Sequence, residues 1–74
     1  MYEHMRAMRE DHDFSQSDVA KILHVHQTTY SEYERGAINI PVAHLKRLAL
    51  LYGTSIDYLV DFTNDAQPHS RREE

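Results

Sequence analysis

The sequence contains no cysteine, so neither a disulfide framework nor a thiolate metal site can supplement its core. Glycine and proline are also scarce: the chain has two of each, at Gly36, Gly53, Pro41 and Pro68, where helical patterns stop or start. No segment alternates for long enough to predict a strand. These absences predict an all-α chain whose core consists of aliphatic and tyrosine side chains.

Long apolar runs are absent as well. The longest run, Leu48 to Tyr52, is far too short to cross a bilayer. The charged segment at residues 1–10 lacks the apolar stretch of a signal peptide. We therefore expect a cytoplasmic protein without a membrane span.

The sequence has fewer basic than acidic residues. Eight lysines and arginines stand against 12 aspartates and glutamates, which gives a formal net charge of −4 at pH 7. A phosphate-binding surface normally carries an excess of lysine and arginine, so this balance argues against indiscriminate binding of nucleic acid.

Apolar periodicity, together with start and stop residues, predicts five helices. Four of them cover about residues 2–12, 15–23, 27–35 and 41–52, and Ser55 caps a short fifth helix. The fourth has the clearest amphipathic pattern. It is predicted to begin with Pro41 as its first helical residue and to place an apolar stripe against the core, formed by Val42, Leu45, Leu48, Ala49 and Tyr52.

The chain fits a single domain, since 74 residues can bury only one modest core. We place this domain at residues 1–62. The polar segment at residues 63–74 is predicted to be a disordered tail.

The segment from Ser15 to Gly36 carries the strongest local signals. Ser15 and Asp18 have the spacing of a capping box, flanked by Phe14 and Val19 as a hydrophobic staple. Gly36 stands where a helix would end. Only residues 24–26, with His26 as the next N-cap, separate the two helices, too few for an antiparallel pair. The pattern predicts a helix-turn-helix, whose second helix enters the major groove of DNA.

Polar residues on the third helix are the candidate base readers. Tyr30 and Tyr33 are spaced by three and should turn inward. On the opposite side, Gln27 can offer its amide to adenine, and Thr28 can offer its hydroxyl to a base or its methyl group to thymine. Glu32 can accept from the amino group of cytosine.

Six short motifs lie along residues 3–62. They are Met8-Arg9, Phe14-Ser15-Gln16, Val19-Ala20, Tyr33-Glu34-Arg35-Gly36, Leu48-Ala49 and Ser55-Ile56-Asp57-Tyr58-Leu59. Together they resemble the Cro and lambda-repressor type of helix-turn-helix, also called the XRE family. The resemblance implies a compact, lambda-repressor-like bundle of five helices that binds operator DNA. It also implies that Gln16 holds a DNA phosphate and that Arg9 pairs with Glu34 inside the domain.

Three further residues are predicted to contact DNA phosphates: Ser31, Arg35 and Asn39. Arg35 lies at the C-terminal end of its helix, where a cation is also favoured by the helix dipole.

The leading hypothesis is a transcription regulator, expected to be a repressor, that binds double-stranded DNA as a symmetric homodimer on a palindromic operator. The pairing surface is placed at the fifth helix and its exit, where Tyr58 and Phe62 have little else to cover. No catalytic residue, cofactor or metal site is predicted, because the six histidines are scattered and no nucleophile motif is present. The alternative is a protein-binding module, such as an antitoxin or anti-repressor, whose acidic surface engages a basic partner.

Overall fold

The computed structural model describes residues 2–61, which contain five α-helices and no strand. The helices are α1 (Glu3–Asp11), α2 (Gln16–Leu23), α3 (Gln27–Arg35), α4 (Val42–Tyr52) and α5 (Ile56–Leu59). The predicted all-α, five-helix architecture is confirmed, and the boundaries of the first four helices agree to within about one residue. None of the described helices is long and apolar enough to cross a membrane. The predicted tail at residues 63–74 lies outside the described residues.

One apolar cluster with members from every helix holds the domain together. Its buried members are Met5, Val19, Ala20, Leu23, Tyr30, Tyr33, Leu48, Tyr52 and Leu59. Each buried side chain of this size contributes about 1.5–3 kcal/mol relative to an exposed one, so the cluster supplies most of the driving force for folding. The prediction that Tyr30 and Tyr33 turn inward is confirmed.

The N-terminus of α1 is capped by a residue from the far end of the domain. Tyr2 occupies the N-cap position but offers no side-chain hydrogen bond. Instead, the carboxylate of Asp61 accepts from the backbone N–H groups of Glu3, at 2.9 Å, and His4, at 3.0 Å. A carboxylate also suits the positive end of the helix dipole. This contact joins the exit of α5 to the start of α1.

Tyr58 is covered by α1, so the premise that it has little else to cover is wrong. The imidazole of His4 stacks on its ring with centroids 4.0 Å apart and an interplanar angle of 7°. His4 Nδ1 also lies 2.8 Å from the backbone carbonyl oxygen of Tyr58. Phe62, the other residue of the predicted pairing surface, lies outside the described residues.

α4 begins one residue later than predicted and is exposed at its start. Pro41 has φ −57° and ψ 142°, so it is the N-cap and not the first helical residue. The later members of the predicted apolar stripe are buried or half-buried, but Val42 is 62% exposed. Its placement in the core is wrong because periodicity fixes the face of a helix, not the length over which neighbouring elements cover that face.

Each of the helices α1 to α4 ends in a left-handed turn, and the left-handed residue after α1 is Asp13, with φ 59°. His24, Gly36 and Gly53 follow α2, α3 and α4 with φ of 60°, 73° and 66°. In each of these three cases the N–H of the next residue donates to a carbonyl five residues back at 2.9 Å, which is the Schellman arrangement. The predicted end of α3 at Gly36 is confirmed.

Replacing Gly53 with alanine should destabilise the domain by about 1 kcal/mol. A side chain in the left-handed region costs about 1–2 kcal/mol, partly offset because alanine restricts the unfolded chain. No atom lies within 4 Å of the position that the new Cβ would take, so the cost is conformational and not steric. The midpoint of thermal unfolding should fall by about 4–8 °C. Lys46→Ala, on the exposed side of α4, is the control and should change the midpoint far less; equal shifts for the two variants would contradict the prediction.

Candidate nucleic-acid interface

α2 begins at a complete capping box. The N–H of Asp18 donates to the Ser15 hydroxyl at 3.0 Å, and the N–H of Ser15 donates to the Asp18 carboxylate at 2.9 Å. Hydrogen bonds from the backbone N–H and then the hydroxyl of Ser15 hold the pKa of Asp18 below its usual value. Val19 is part of the core and Phe14 packs against it. The predicted start of this helix is confirmed.

Replacing Ser15 with alanine should cost about 1 kcal/mol of folding free energy, the usual loss for an N-cap hydroxyl. The pKa of Asp18 should rise towards its usual value. Because this pKa is lowered in the folded state, the stabilisation by Asp18 is present at neutral pH and is lost in acid, as the pH falls through the folded-state pKa. Denaturant unfolding and an NMR titration of the Asp18 carboxyl measure the two effects. The control is Ser17→Ala, two residues along and outside the capping box; if Ser17→Ala is equally costly, the cap is not the cause.

Three residues connect α2 to α3, as predicted. His24 takes the left-handed conformation, Val25 packs against the core, and His26 is the extended residue that precedes α3. His26 is the N-cap, but its side chain forms no hydrogen bond to the helix. The corner is therefore fixed by backbone hydrogen bonds and by Val25.

The inner face of α3 is fixed by two tyrosines. Tyr30 is fully buried, and its hydroxyl donates to the carboxylate of Glu34 at 2.6 Å. The hydroxyl oxygen of Tyr33 lies 3.2 Å from Nδ1 of His44 in α4. The two tyrosine rings meet nearly edge to face, with centroids 6.4 Å apart. These contacts fix which side of α3 faces away from the core.

Glu34 is 1% exposed and is paired with Arg9 of α1. Arg9 Nε donates to Oε2 of Glu34 at 2.6 Å, and Nη2 lies 3.5 Å from Oε1. Arg9 Nη1 donates to the carbonyl oxygen of Phe14 at 2.8 Å, so the same side chain also supports the approach to α2. The pair implied by the family resemblance is confirmed.

Burial and this pair together shift the pKa values of the groups around Glu34. Burial alone would lower the pKa of Arg9, but the hydrogen bond and the negative charge of Glu34 outweigh it and raise that pKa. Burial, followed by the hydrogen bond to Glu34, raises the pKa of Tyr30 far above its usual value. Burial also raises the pKa of Tyr52 to about 12. The two tyrosines therefore remain neutral, and Arg9 remains charged, at physiological pH.

The structure places the seven predicted DNA contacts at or near the surface. Gln27, Thr28, Arg35 and Asn39 are exposed, whereas Gln16, Ser31 and Glu32 are half-buried. The first two residues of α3 and the pair one turn later, residues 31 and 32, lie within helical reach of one another. The other three stand apart: one begins α2, one ends α3, and one lies in the loop before α4.

The helix-turn-helix family model matches residues 5–59, a range that reaches into all five helices. This chain belongs to the Cro/C1-type helix-turn-helix family. It is 29% identical over 68 residues to the uncharacterized HTH-type transcriptional regulator YobD of Bacillus subtilis (strain 168), an alignment that covers 92% of this chain and 61% of that protein. The chain thus spans about three fifths of the length of this curated relative. No solved structure matches it.

The helix-turn-helix family is non-enzymatic, which confirms the prediction that the chain is not an enzyme. Within residues 2–61, no group of three or more histidine, aspartate or glutamate side chains could hold a metal ion.

The exposed charge of the helix-turn-helix is balanced. Residues 15–39 contain three acids and two bases, but the acid at Glu34 is buried and paired with Arg9. That leaves Asp18 and Glu32 against Lys21 and Arg35. The excess of negative charge in the chain therefore lies elsewhere, and the candidate interface is close to neutral.

The hydrogen bonds that Gln16 and Tyr30 donate to Glu34 were not predicted. The Nε2 of Gln16 donates to Oε1 of Glu34 at 3.2 Å, and the Tyr30 hydroxyl donates to the same carboxylate. The four-residue spacing between Tyr30 and Glu34 is a sequence signal that could have indicated the second bond. No local pattern indicates the first, since its partners lie 18 residues apart on different helices.

Proposed function

We propose that this chain is a sequence-specific DNA-binding transcription regulator, a repressor, that reads the major groove with the N-terminal end of α3. The observation that carries the proposal is the exposure of Gln27 and Thr28 at the first two positions of a helix whose opposite face is fixed by Tyr30 and Tyr33. The family match and the name of the B. subtilis relative, a transcriptional regulator, support DNA-binding regulation of transcription.

Base recognition is assigned to three residues. Gln27 presents an amide that can pair with both the N6 and N7 positions of adenine, the arrangement that glutamine commonly uses in the major groove. Thr28 offers a hydroxyl group or a methyl contact to thymine. Glu32 can accept from cytosine N4, and its half-buried position restricts the side chain.

Phosphate contacts are assigned to Gln16, Ser31, Arg35 and Asn39, on both sides of the recognition residues. Within the described residues, the backbone N–H groups of Gln16 and Ser17 have no acceptor, whereas those of Ser15 and Asp18 are used by the capping box. Free N–H groups at the positive end of a helix attract phosphate, which supports a contact between the start of α2 and the DNA backbone.

A two-fold homodimer would present two α3 helices to successive major grooves, about 34 Å apart on one side of the duplex. A symmetric protein pairs with a palindromic site, so the operator should consist of two inverted half-sites. Such a regulator acts on chromosomal or plasmid DNA in the cytoplasm.

The affinity for DNA should depend only modestly on salt. The exposed bases of the helix-turn-helix, Lys21 and Arg35, can neutralise at most two phosphates per subunit. For a dimer this gives a slope of log K against log salt no steeper than about −4. Fluorescence anisotropy between about 50 and 200 mM salt measures the slope. A slope near −7 would contradict this prediction and indicate that Lys46 and Arg47 also bind phosphates. In that case, replacing both residues with alanine should make the slope shallower.

Selection of bound sequences from a random duplex pool tests the proposed function. We expect enrichment of an inverted repeat whose half-site centres lie about 10 base pairs apart, bound with a Kd of about 10 nM or tighter at physiological salt. A competition experiment with unselected duplex then gives the discrimination ratio. Failure to enrich any sequence, with the protein folded throughout, would refute the proposal.

The net charge favours a second candidate, a protein-binding module of the antitoxin or anti-repressor kind. The observation that supports it is the acidic surface of α1 and of the turn after it, where Glu3, Glu10, Asp11 and Asp13 are all exposed. In the sequence, these acids lie outside residues 15–39, whose exposed charge is balanced. A chain that ignores every duplex but binds a basic protein, and loses that binding when these acids are replaced by their amides, would support the second candidate.

A further inference from the structure

Gln16 is the one predicted DNA contact for which the structure gives a side-chain hydrogen bond to the interior within residues 2–61. It is half-buried at the first position of α2, and its Nε2 donates to Oε1 of Glu34 at 3.2 Å. Its amide therefore lies between the core and the surface that the proposed function assigns to DNA.

Glu34 is itself held rigidly. Its Oε2 accepts from Arg9 Nε at 2.6 Å and from the Tyr30 hydroxyl at 2.6 Å. Since Glu34 is 1% exposed and Tyr30 is fully buried, solvent does not compete for these bonds. The position of Oε1, which Gln16 contacts, is thus determined by groups on α1 and α3.

The chemistry of Glu34 also decides which way the Gln16 amide faces. An ionised carboxylate only accepts hydrogen bonds, so Gln16 must present its nitrogen and not its oxygen to Oε1. A primary amide has two N–H groups, and Glu34 engages one of them. The second side-chain N–H of Gln16 remains available as a donor. Gln16 also has one of the free backbone N–H groups at the start of α2.

We infer that Glu34, held by Arg9 and Tyr30, is a positioning residue that orients the amide of Gln16 to donate to a DNA phosphate. The inference rests on the proposed function and deepens it by connecting the buried ion pair to DNA affinity. A locked donor loses less conformational entropy on binding than a mobile one, so the contact gains strength from a residue that never touches DNA.

A double-mutant cycle on the full 74-residue chain tests this role, with the duplex selected from the random pool as the probe. The variants are Gln16→Ala, Glu34→Gln and both together, compared at a temperature where circular dichroism shows all four proteins folded. Glu34→Gln keeps the shape of the side chain, but its amide has one oxygen where the carboxylate has two. The variant therefore cannot accept from Gln16 in addition to Arg9 and Tyr30. We expect each single variant to weaken binding of the dimer about 25-fold, since one hydrogen bond lost in each subunit costs about fivefold. The double variant should be no weaker than Gln16→Ala.

The outcomes distinguish failure of the positioning role from failure of the proposed function. If Glu34→Gln weakens binding equally with and without Gln16, its effect is purely structural and the positioning role is overturned. If Gln16→Ala leaves the affinity unchanged, the phosphate contact of Gln16 is wrong, although DNA binding itself stands. If no duplex is ever selected, the proposed function fails.

A measurement on the unaltered protein keeps the inference testable even if Glu34→Gln does not fold. NMR relaxation of the side-chain amide nitrogens compares Gln16 with Gln27, which is exposed and forms no hydrogen bond with the described residues. In the DNA-free protein, the order parameter of the Gln16 amide should approach about 0.8, and that of Gln27 should lie below about 0.6. An equally mobile Gln16 would overturn the positioning role.

Discussion

Replacing both Gln27 and Thr28 with alanine should abolish the discrimination between operator and random duplex. Specific binding by proteins of this kind exceeds nonspecific binding by about 10³-fold or more. Each good base contact contributes about 1–3 kcal/mol of that difference. A dimer would lose two such residues in each half-site, so the ratio should fall close to one. Gel-shift competition between the selected and unselected duplexes measures it.

The fold should survive this double replacement because both side chains are exposed and lie outside the core cluster. The midpoint of thermal unfolding should therefore stay within a few degrees of the wild-type value. Lys46→Ala is the control for binding, since loss of a surface cation can weaken affinity for every duplex but should leave the ratio unchanged. An unaltered ratio in the double variant would remove both residues from the recognition surface.

The largest loss of stability is expected from Glu34→Ala. The change leaves the guanidinium of Arg9 and the hydroxyl of Tyr30 without their carboxylate partner in the interior. Breaking a buried ion pair from one side typically costs about 3–5 kcal/mol. Small domains have only about 5–15 kcal/mol in total, so the midpoint of thermal unfolding should fall by more than about 12 °C.

Glu32→Ala is the matched control, because it removes the same side chain two residues earlier in α3. Glu32 is half-buried and forms no ion pair or hydrogen bond with the described residues, so its loss should cost under about 1 kcal/mol. Thermal unfolding of the two variants side by side gives the comparison. Equal losses would show that the pair formed by Arg9 and Glu34 adds nothing beyond helix propensity.

The helix-turn-helix itself was predictable because its helix ends carry chemical signals. A serine and an aspartate three residues apart form the capping box at Ser15, and a glycine ends α3 at Gly36 in the left-handed conformation. Each of these signals acts over fewer than five residues, so a sequence displays it directly. The exposure of Gln27 and Thr28 followed from the inward spacing of two tyrosines on the same helix.

Contacts between residues far apart in the sequence were harder to predict. The hydrogen bond from Gln16 to Glu34 depends on how α2 packs against α3, and the stacking of His4 on Tyr58 depends on how α5 returns to α1. Neither pair has a local pattern. Val42 shows a related limitation: its position on the apolar stripe was correct, but no neighbour within residues 2–61 extends far enough to cover it.

The cap on α1 has a consequence for the order in which the domain can form during synthesis. Of the five helices of this domain, α1 is translated before the others, yet the acceptor for its N–H groups at Glu3 and His4 is Asp61, 58 residues later for Glu3. A short helix without its cap is marginal in water. α1 should therefore fray until Asp61 has emerged, so that folding of this domain completes in one late step instead of growing from α1.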